Sequence, residues 1–221
     1  MDLSDAQIER YSRQILLKEL GGTGQERILA GSVLVLGGGR VPALASLYLA
    51  AAGCGRLGLG FADGAEEARA SIAALNPDTR THLVSPEEVS REVIADYDVV
   101  AHTMVPGDRH DRLNRAWLEA ARPMVVARVA GATGSVTTLR PGPGTGCLAC
   151  MPWPSGEATT TPLAAPLAGA IASLQAIEVL KAVTGTGEPL HDRLVTLDAH
   201  GAAFAVQEAQ RPAACAVCGA T

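Results

Sequence analysis

Lysine and aromatic residues are scarce in this chain of 221 residues. Only two lysines occur, Lys18 and Lys181, against sixteen arginines, so any chemistry that depends on a lysine has two candidates. Phe, Tyr and Trp together make up 3%, too few for a base-stacking or sugar-binding surface. Positive charge is not in excess: the formal net charge is −5, which argues against nucleic acid or anionic lipid as a partner. The longest weakly polar stretch, Pro162 to Leu174, carries Pro166 and falls short of the roughly 20 residues of a spanning helix. The start MDLSDAQIER lacks the basic, apolar character of a secretory leader. The expectation is a cytoplasmic protein without nucleic-acid or membrane partners.

Apolar residues at 48% and charged residues at 19% describe a globular chain with a substantial core. The spacing of Ile8, Tyr11, Ile15 and Leu16 predicts a helix over Asp5 to Leu20, capped by Ser4 or Asp5 and ended by Gly21-Gly22. SVLVL at Ser32 to Leu36, an apolar helix over Val41 to Ala52 and RLGLGF at Arg56 to Phe61 form a βαβ unit, the opening of a Rossmann-type fold. Further strands are expected at 81–84, 97–102, 124–128, 134–139 (alternating, as if exposed), 193–198 and 203–208. Helices are expected at 66–75, 86–94, 109–121 and 163–184. No repeat or long linker interrupts the chain, which reads as one α/β domain.

Cysteine usage is the most specific local signal. Cys147 and Cys150, and Cys215 and Cys218, form two CxxC knuckles, which together supply the four soft ligands of a tetrahedral, structural zinc. Two unrelated reduced pairs or one redox-active pair are the alternatives. Cys54 reads as a core residue. Gly37-Gly38-Gly39-Arg40-Val41-Pro42 occupies the place of a dinucleotide fingerprint, with Gly37 and Gly39 able to give the tight turn and Pro42 replacing the third glycine. Asp63 is the acidic residue that follows the second strand, either a ribose ligand or a turn former. His102, at a strand's carboxyl end, is placed for a ligand contact or for the core. Asp108, Arg109, His110, Asp111, Arg112 and Arg115 read as the solvated start of a helix.

In order along the chain come RYSRQILLKELGGTGQERILAGSVLVLGGG, LYLAAAGCGRLGLG, AALNP, GSVTTLRPG, CLACMP, SLQAIEVLKAVTG and the final CxxCG. From Arg10 to Gly219 this resembles the ThiF/MoeB/HesA family, the bacterial relatives of ubiquitin-activating enzymes. The resemblance implies an α/β Rossmann-like sheet with flanking helices, continued by antiparallel strands and carrying a four-cysteine zinc site. It divides the single domain into a helical arm (1–30), a nucleotide-binding half (31–130) and a zinc-bearing half that docks the carrier (131–221). It also implies a dimer and a reaction: ATP with Mg²⁺ adenylates the C-terminus of a ubiquitin-like sulfur carrier or a peptide. In such a site Gly37, Gly39, Arg40 and Asp63 would face the nucleotide, and Arg13 of RYSRQ would reach a neighbouring subunit's ATP.

Several departures bear on that activity. The family's G-x-G-G-L-G loop ends here in Gly39-Arg40-Val41-Pro42, and its T-D-N aspartate position reads Thr103-Met104-Val105. The family's S-N-L-x-R-Q stretch and following lysine are missing, as if about twenty residues had been deleted before AALNP. Thr159, Thr160 and Thr161 stand where several relatives carry a reactive cysteine. Charge stabilisation at the α-phosphorus depends on such groups. Three readings follow: an adenylation-deficient homodimer, or heterodimer with a competent relative, that lends Arg13 and holds a carrier or peptide; an active adenylyltransferase using Arg40; or a plain nucleotide- or NAD-binding Rossmann protein.

Overall fold

A computed structural model describes residues 3–104, 110–142, 145–154, 161–209 and 211–219. Helix α1 (Asp5–Ile15) starts with a reciprocal cap: Ser4 Oγ accepts from the Gln7 amide and Gln7 Oε1 accepts from the Ser4 amide. Then follow α2 (Gly21–Ala30), β1 (Ser32–Gly37), α3 (Val41–Ala52), β2 (Arg56–Phe61), α4 (Ala65–Leu75) and β3 (Arg80–Leu83). After these come α5 (Arg91–Ala95), β4 (Val99–Met104), α6 (His110–Ala120), β5 (Met124–Ala130) and β6 (Thr133–Leu139). The chain closes with α7 (Ala164–Thr184), β7 (Arg193–Asp198) and β8 (Ala203–Glu208).

The strands form one sheet in the order β3-β2-β1-β4-β5-β6-β7-β8. The first five are parallel, as their helical crossovers require, and β6, β7 and β8 add on antiparallel. The Rossmann-like architecture with its antiparallel continuation is therefore present. One face of the sheet packs on α3 and α7 through Val33, Val35, Val125, Ala127, Val136 and Ile171. The other carries Leu34, Val100, Val126 and Trp117 together with the cysteine knuckles.

Three expectations are corrected. Gly21-Gly22 does not end the first helix: α1 stops at Ile15 and Gly21 begins α2, whose Gln25 and Ile28 are buried. Over 86–94 the chain makes a 3₁₀ turn (Pro86–Glu88) and then a new helix, because Ser90 Oγ accepts from the Val93 amide and restarts it as α5. Strand β6 is not exposed. It lies between β5 and β7, and its Ser135, Thr137 and Thr138 are buried.

By length and composition α7 would suffice to cross a membrane, but half of its apolar window is buried inside this fold. Its polar residues work inward. Gln175 Nε2 donates to the carbonyls of His102 and Val125, both at 3.1 Å, joining the helix to β4 and β5. Glu178 Oε2 accepts from Thr138 Oγ1 and from the Leu190 amide, both at 2.7 Å, while Oε1 pairs with Lys181 Nζ at 2.5 Å.

Candidate functional site

In open α/β sheets ligands bind beyond the carboxyl ends of the parallel strands, where neighbouring crossovers diverge. Here those ends are Gly37, Phe61 and Met104, and four of the nine expected site residues, Gly37, Gly39, Arg40 and Asp63, lie at or just beyond the first two. Gly37 closes β1 with φ 123°, and a Cβ built there would lie 2.1 Å from the Thr103 carbonyl oxygen. Its glycine character is thus fixed by the approach of β4. Gly39 has φ 72° with nothing within 4 Å of a built Cβ, so it serves the turn and leaves space above it. Arg40 is exposed at the N-cap of α3, and Val41-Pro42 open that helix. The backbone at Pro42 has no N–H to offer a phosphate.

Asp63 is exposed in the three-residue turn Ala62–Gly64 that carries β2 directly into α4. An open groove of about 650 Å³ lies beside this turn. Its lining includes Phe61, Asp63, Glu66, Glu67 and Ser85, and no lining residue is basic. Glu66 and Glu67 sit in the first turn of α4, where the helix dipole favours carboxylates. At the end of β4, His102, Thr103 and Met104 are all buried. Val105, Asp108 and Arg109 lie outside the described residues, as do Thr159 and Thr160. Asp111, Arg112 and Arg115 are exposed on α6, as expected.

The two arginines of RYSRQ have different surroundings. Arg10 Nε pairs with Asp78 at 3.2 Å, whereas Arg13 is exposed and meets no carboxylate among the described residues. Between them Tyr11 is buried. Its hydroxyl donates to Asp78 Oδ2 at 2.9 Å and accepts from Asn76 Nδ2 at 2.8 Å, and desolvation pushes its pKa up to about 12. The arm is therefore anchored to the Asn76-Pro77-Asp78 corner, and Arg13 stays free at its outer side.

On the opposite face of the sheet the four cysteines converge, with all Sγ atoms within 4.8 Å of one another. Cys147 and Cys150 are 3.7 Å apart, Cys147 and Cys215 3.9 Å, and Cys150 and Cys218 3.4 Å. Four thiolates around zinc at about 2.3 Å would stand about 3.8 Å apart, so the set fits a tetrahedral ion such as zinc. Backbone N–H groups of Cys218 and Val217 lower the Cys215 thiol to about 6, whereas burial raises the thiols of Cys150 and Cys218. Asn114, only 1% exposed on α6, donates from Nδ2 to Cys147 Sγ at 3.2 Å and accepts the Leu148 amide on Oδ1. The sequence reading missed Asn114. Its signal is a polar residue between Leu113 and Trp117 on the inward stripe of a helix. Cys54 is buried and distant in role, as a core residue.

The profile of the ThiF family matches residues 11–66 and 62–218 of this chain. The chain belongs to the ThiF family. The vegetative HesA protein of Trichormus variabilis is 31% identical over 248 residues, covering 99% of this chain and 92% of that protein. The molybdopterin-synthase adenylyltransferase of Escherichia coli is 30% identical over 246 residues, covering 99% of both chains. Among solved structures, E. coli MccB with succinimide superposes with a TM-score of 0.76 at 18% identity, over 95% of this chain and 74% of that one.

An alignment of 246 positions against 221 residues leaves at least 25 positions of the E. coli relative unmatched. The family profile matches in two pieces that meet at residues 62–66, the short turn between β2 and α4.

Proposed function

We propose that this ThiF-family protein has lost ATP-dependent adenylation and works as a docking and dimerisation partner. It would hold a ubiquitin-like sulfur carrier or peptide and supply Arg13 in trans to a competent relative or to a second copy. The observation that carries this reading is the β2–α4 turn. Adenylation brings a carboxylate onto a polyphosphate, and the transition state must be met by cations. At this turn the chain offers three residues, and the groove beside it is lined by three carboxylates and no basic residue among the described residues, which leaves Arg40 at the start of α3 as the cation of the glycine turn. Neither lysine compensates: Lys181 is spent on Glu178 in α7, and Lys18 lies in the exposed link after α1. Each missing charge-stabilising group is worth about 3 kcal/mol of barrier in comparable sites.

The partner role is supported by the arm. Ile8, Leu16 and Leu17 are 47%, 84% and 54% exposed near Arg13, an apolar surface on the same short segment as the unpaired guanidinium. The zinc held by Cys147, Cys150, Cys215 and Cys218 would be structural, since all four positions are taken by protein thiolates.

ATP–pyrophosphate exchange tests the reading. The isolated chain, with a ubiquitin-like sulfur carrier present, is expected to show none. Addition of a competent ThiF-family enzyme is expected to give exchange that falls when this chain carries Arg13→Ala. Robust exchange by the chain alone overturns the proposal in favour of an active enzyme in which Arg40, at the start of α3, binds phosphate.

A further inference from the structure

Among the described residues the sheet ends in strand β8, which pairs only with β7. All six residues of β8 are exposed, and Phe204 and Val206, at 63% and 61%, share one face of the strand. Open edges of stable proteins carry a lysine, a proline or a bulge that discourages pairing with another chain. AFAVQE has no basic residue and no proline, and its pairs with β7 run from Ala203 to Glu208 without a bulge. The direction of its free backbone groups is fixed. The Ala209 amide donates to the Asp192 carbonyl at 2.7 Å, in the register of the ladder. Bonding direction alternates along a strand, so Ala203, Ala205 and Gln207 bond toward β7. Phe204, Val206 and Glu208 turn their N–H and C=O groups outward.

We propose that β8 pairs antiparallel with β8 of a second copy, about a two-fold axis at Ala205, joining the two sheets edge to edge. Residues opposed across an antiparallel pair must both point their backbone groups at each other or both away, so the axis must pass through a residue. Centred on Ala205, Phe204 of each copy stands opposite Val206 of the other. These two pairs exchange their backbone hydrogen bonds and set an aromatic beside a β-branched side chain. Centred on Val206, Phe204 would face the Glu208 carboxylate instead. Charge agrees with the first register. Residues 203–207 are neutral, and Glu208 falls level with the second copy's turn at 199–202, whose one ionisable residue is the exposed His200. The other outer strand, β3, is a poorer match: it is four residues long and carries Arg80 and His82. A β8–β3 contact would also be heterologous and run on without closing. Five residues a side is far below a standard interface, so a dissociation constant on the order of 10–100 μM is expected. The contact is separate from the arm, which is anchored at the corner leading into β3, roughly 30 Å away across the sheet.

Sedimentation equilibrium and amide hydrogen exchange of the full-length protein test the pairing. The amides of Phe204 and Val206 are expected to exchange more slowly as protein concentration rises, while those of Ala203, Ala205 and Gln207 stay constant. Val206→Lys is expected to weaken association about tenfold or more. Val206→Pro removes only an outward N–H, so it too should weaken association while the melting temperature stays close to wild type. Ala205→Cys places a thiol on the axis and, oxidised with glutathione disulfide, is expected to give a covalent dimer whose peptide map shows the link at position 205. A monomer at every concentration overturns the proposal. So does a dimer that survives both Val206 variants, or one that Arg13→Ala dissolves and they do not, since the contact then belongs to the arm. If the chain alone stays monomeric and a ubiquitin-like carrier slows exchange at Phe204 and Val206, the edge serves the carrier and self-pairing is overturned.

Discussion

Asn76 Nδ2 donates to the Tyr11 hydroxyl at 2.8 Å across 65 residues of sequence, and the same amide donates to the Ala50 carbonyl at 2.7 Å. Two motifs that look independent in the sequence, RYSRQ and AALNP, are thus one joint. The first helix is held by its tyrosine to the corner that ends α4, with Arg10 and Asp78 reinforcing the joint from outside. Along the outer side of the same segment Ile8, Arg13, Leu16 and Leu17 are left to solvent.

That joint has a measurable weight. Tyr11→Phe removes a hydroxyl that serves Asn76 and Asp78, and should cost about 1–3 kcal/mol in urea unfolding. Limited proteolysis should then cut preferentially within the first 20 residues. The phenol's folded pKa of about 12 lies above its ordinary 10.0. A raised pKa means that the neutral form is favoured by folding, so this contribution is intact below pH 10 and lost between 10 and 12. Wild-type stability should fall more steeply than that of Tyr11→Phe in this window.

The two glycines of the turn after β1 should respond differently to alanine. Gly37→Ala forces a methyl group to 2.1 Å from the Thr103 oxygen, and a loss on the order of 3 kcal/mol or more is expected. Gly39→Ala meets no atom and carries only the left-handed backbone cost of about 1–2 kcal/mol. Equal losses in thermal denaturation would contradict the assignment of Gly37 to strand packing.

Lys181 should matter through Glu178. Lys181→Ala leaves a buried carboxylate without its cation, and about 1–3 kcal/mol should be lost, the lysine being 28% exposed. Adding Glu178→Gln should recover part of that loss, because the amide oxygen still accepts from Thr138 and Leu190 without a charge. A double variant weaker than Lys181→Ala alone, by chemical denaturation, would contradict this account.

For the cysteine cluster, elemental analysis should find about one zinc per chain, and a strong chelator should lower the melting temperature. Asn114→Ala removes the donor to Cys147 and should weaken zinc about 10–100-fold in a competition with a chromophoric chelator. Unchanged affinity would reduce Asn114 to its bond with the Leu148 amide.

Much of this was legible in the sequence. The strands at 56–61, 193–198 and 203–208 and the helix at 41–52 fall where the apolar runs and their periods place them. The misreadings have physical causes. The run GGTGQERILA has poor helix propensity, and burial of Gln25 and Ile28 overrides it. Strand β6 looked exposed because its apolar and polar residues alternate, yet Thr138 is satisfied by Glu178 and Thr137 Oγ1 by the Arg193 carbonyl. At the candidate site the turn glycines and the cysteines were readable from spacing alone. The internal duties of Gln175 and Glu178 and the Asn114 bond depend on how distant elements are brought together and could not be read from local pattern.

The cysteine knuckles have a consequence for the mechanical order of the chain. Bound metal would tie Cys150 to Cys215 and make a ring of the intervening residues 151–214, including α7, β7 and β8. In the chain-entropy picture a ring of this size removes about 4 kcal/mol of freedom from the unfolded state. The benefit falls where packing contributes least, since every residue of the edge strand β8 is exposed. With the ring closed, β8 can peel from β7 only as a short slack loop and zips back quickly. With the metal stripped, it becomes a loose end, and hydrogen exchange should accelerate first from Ala203 to Glu208.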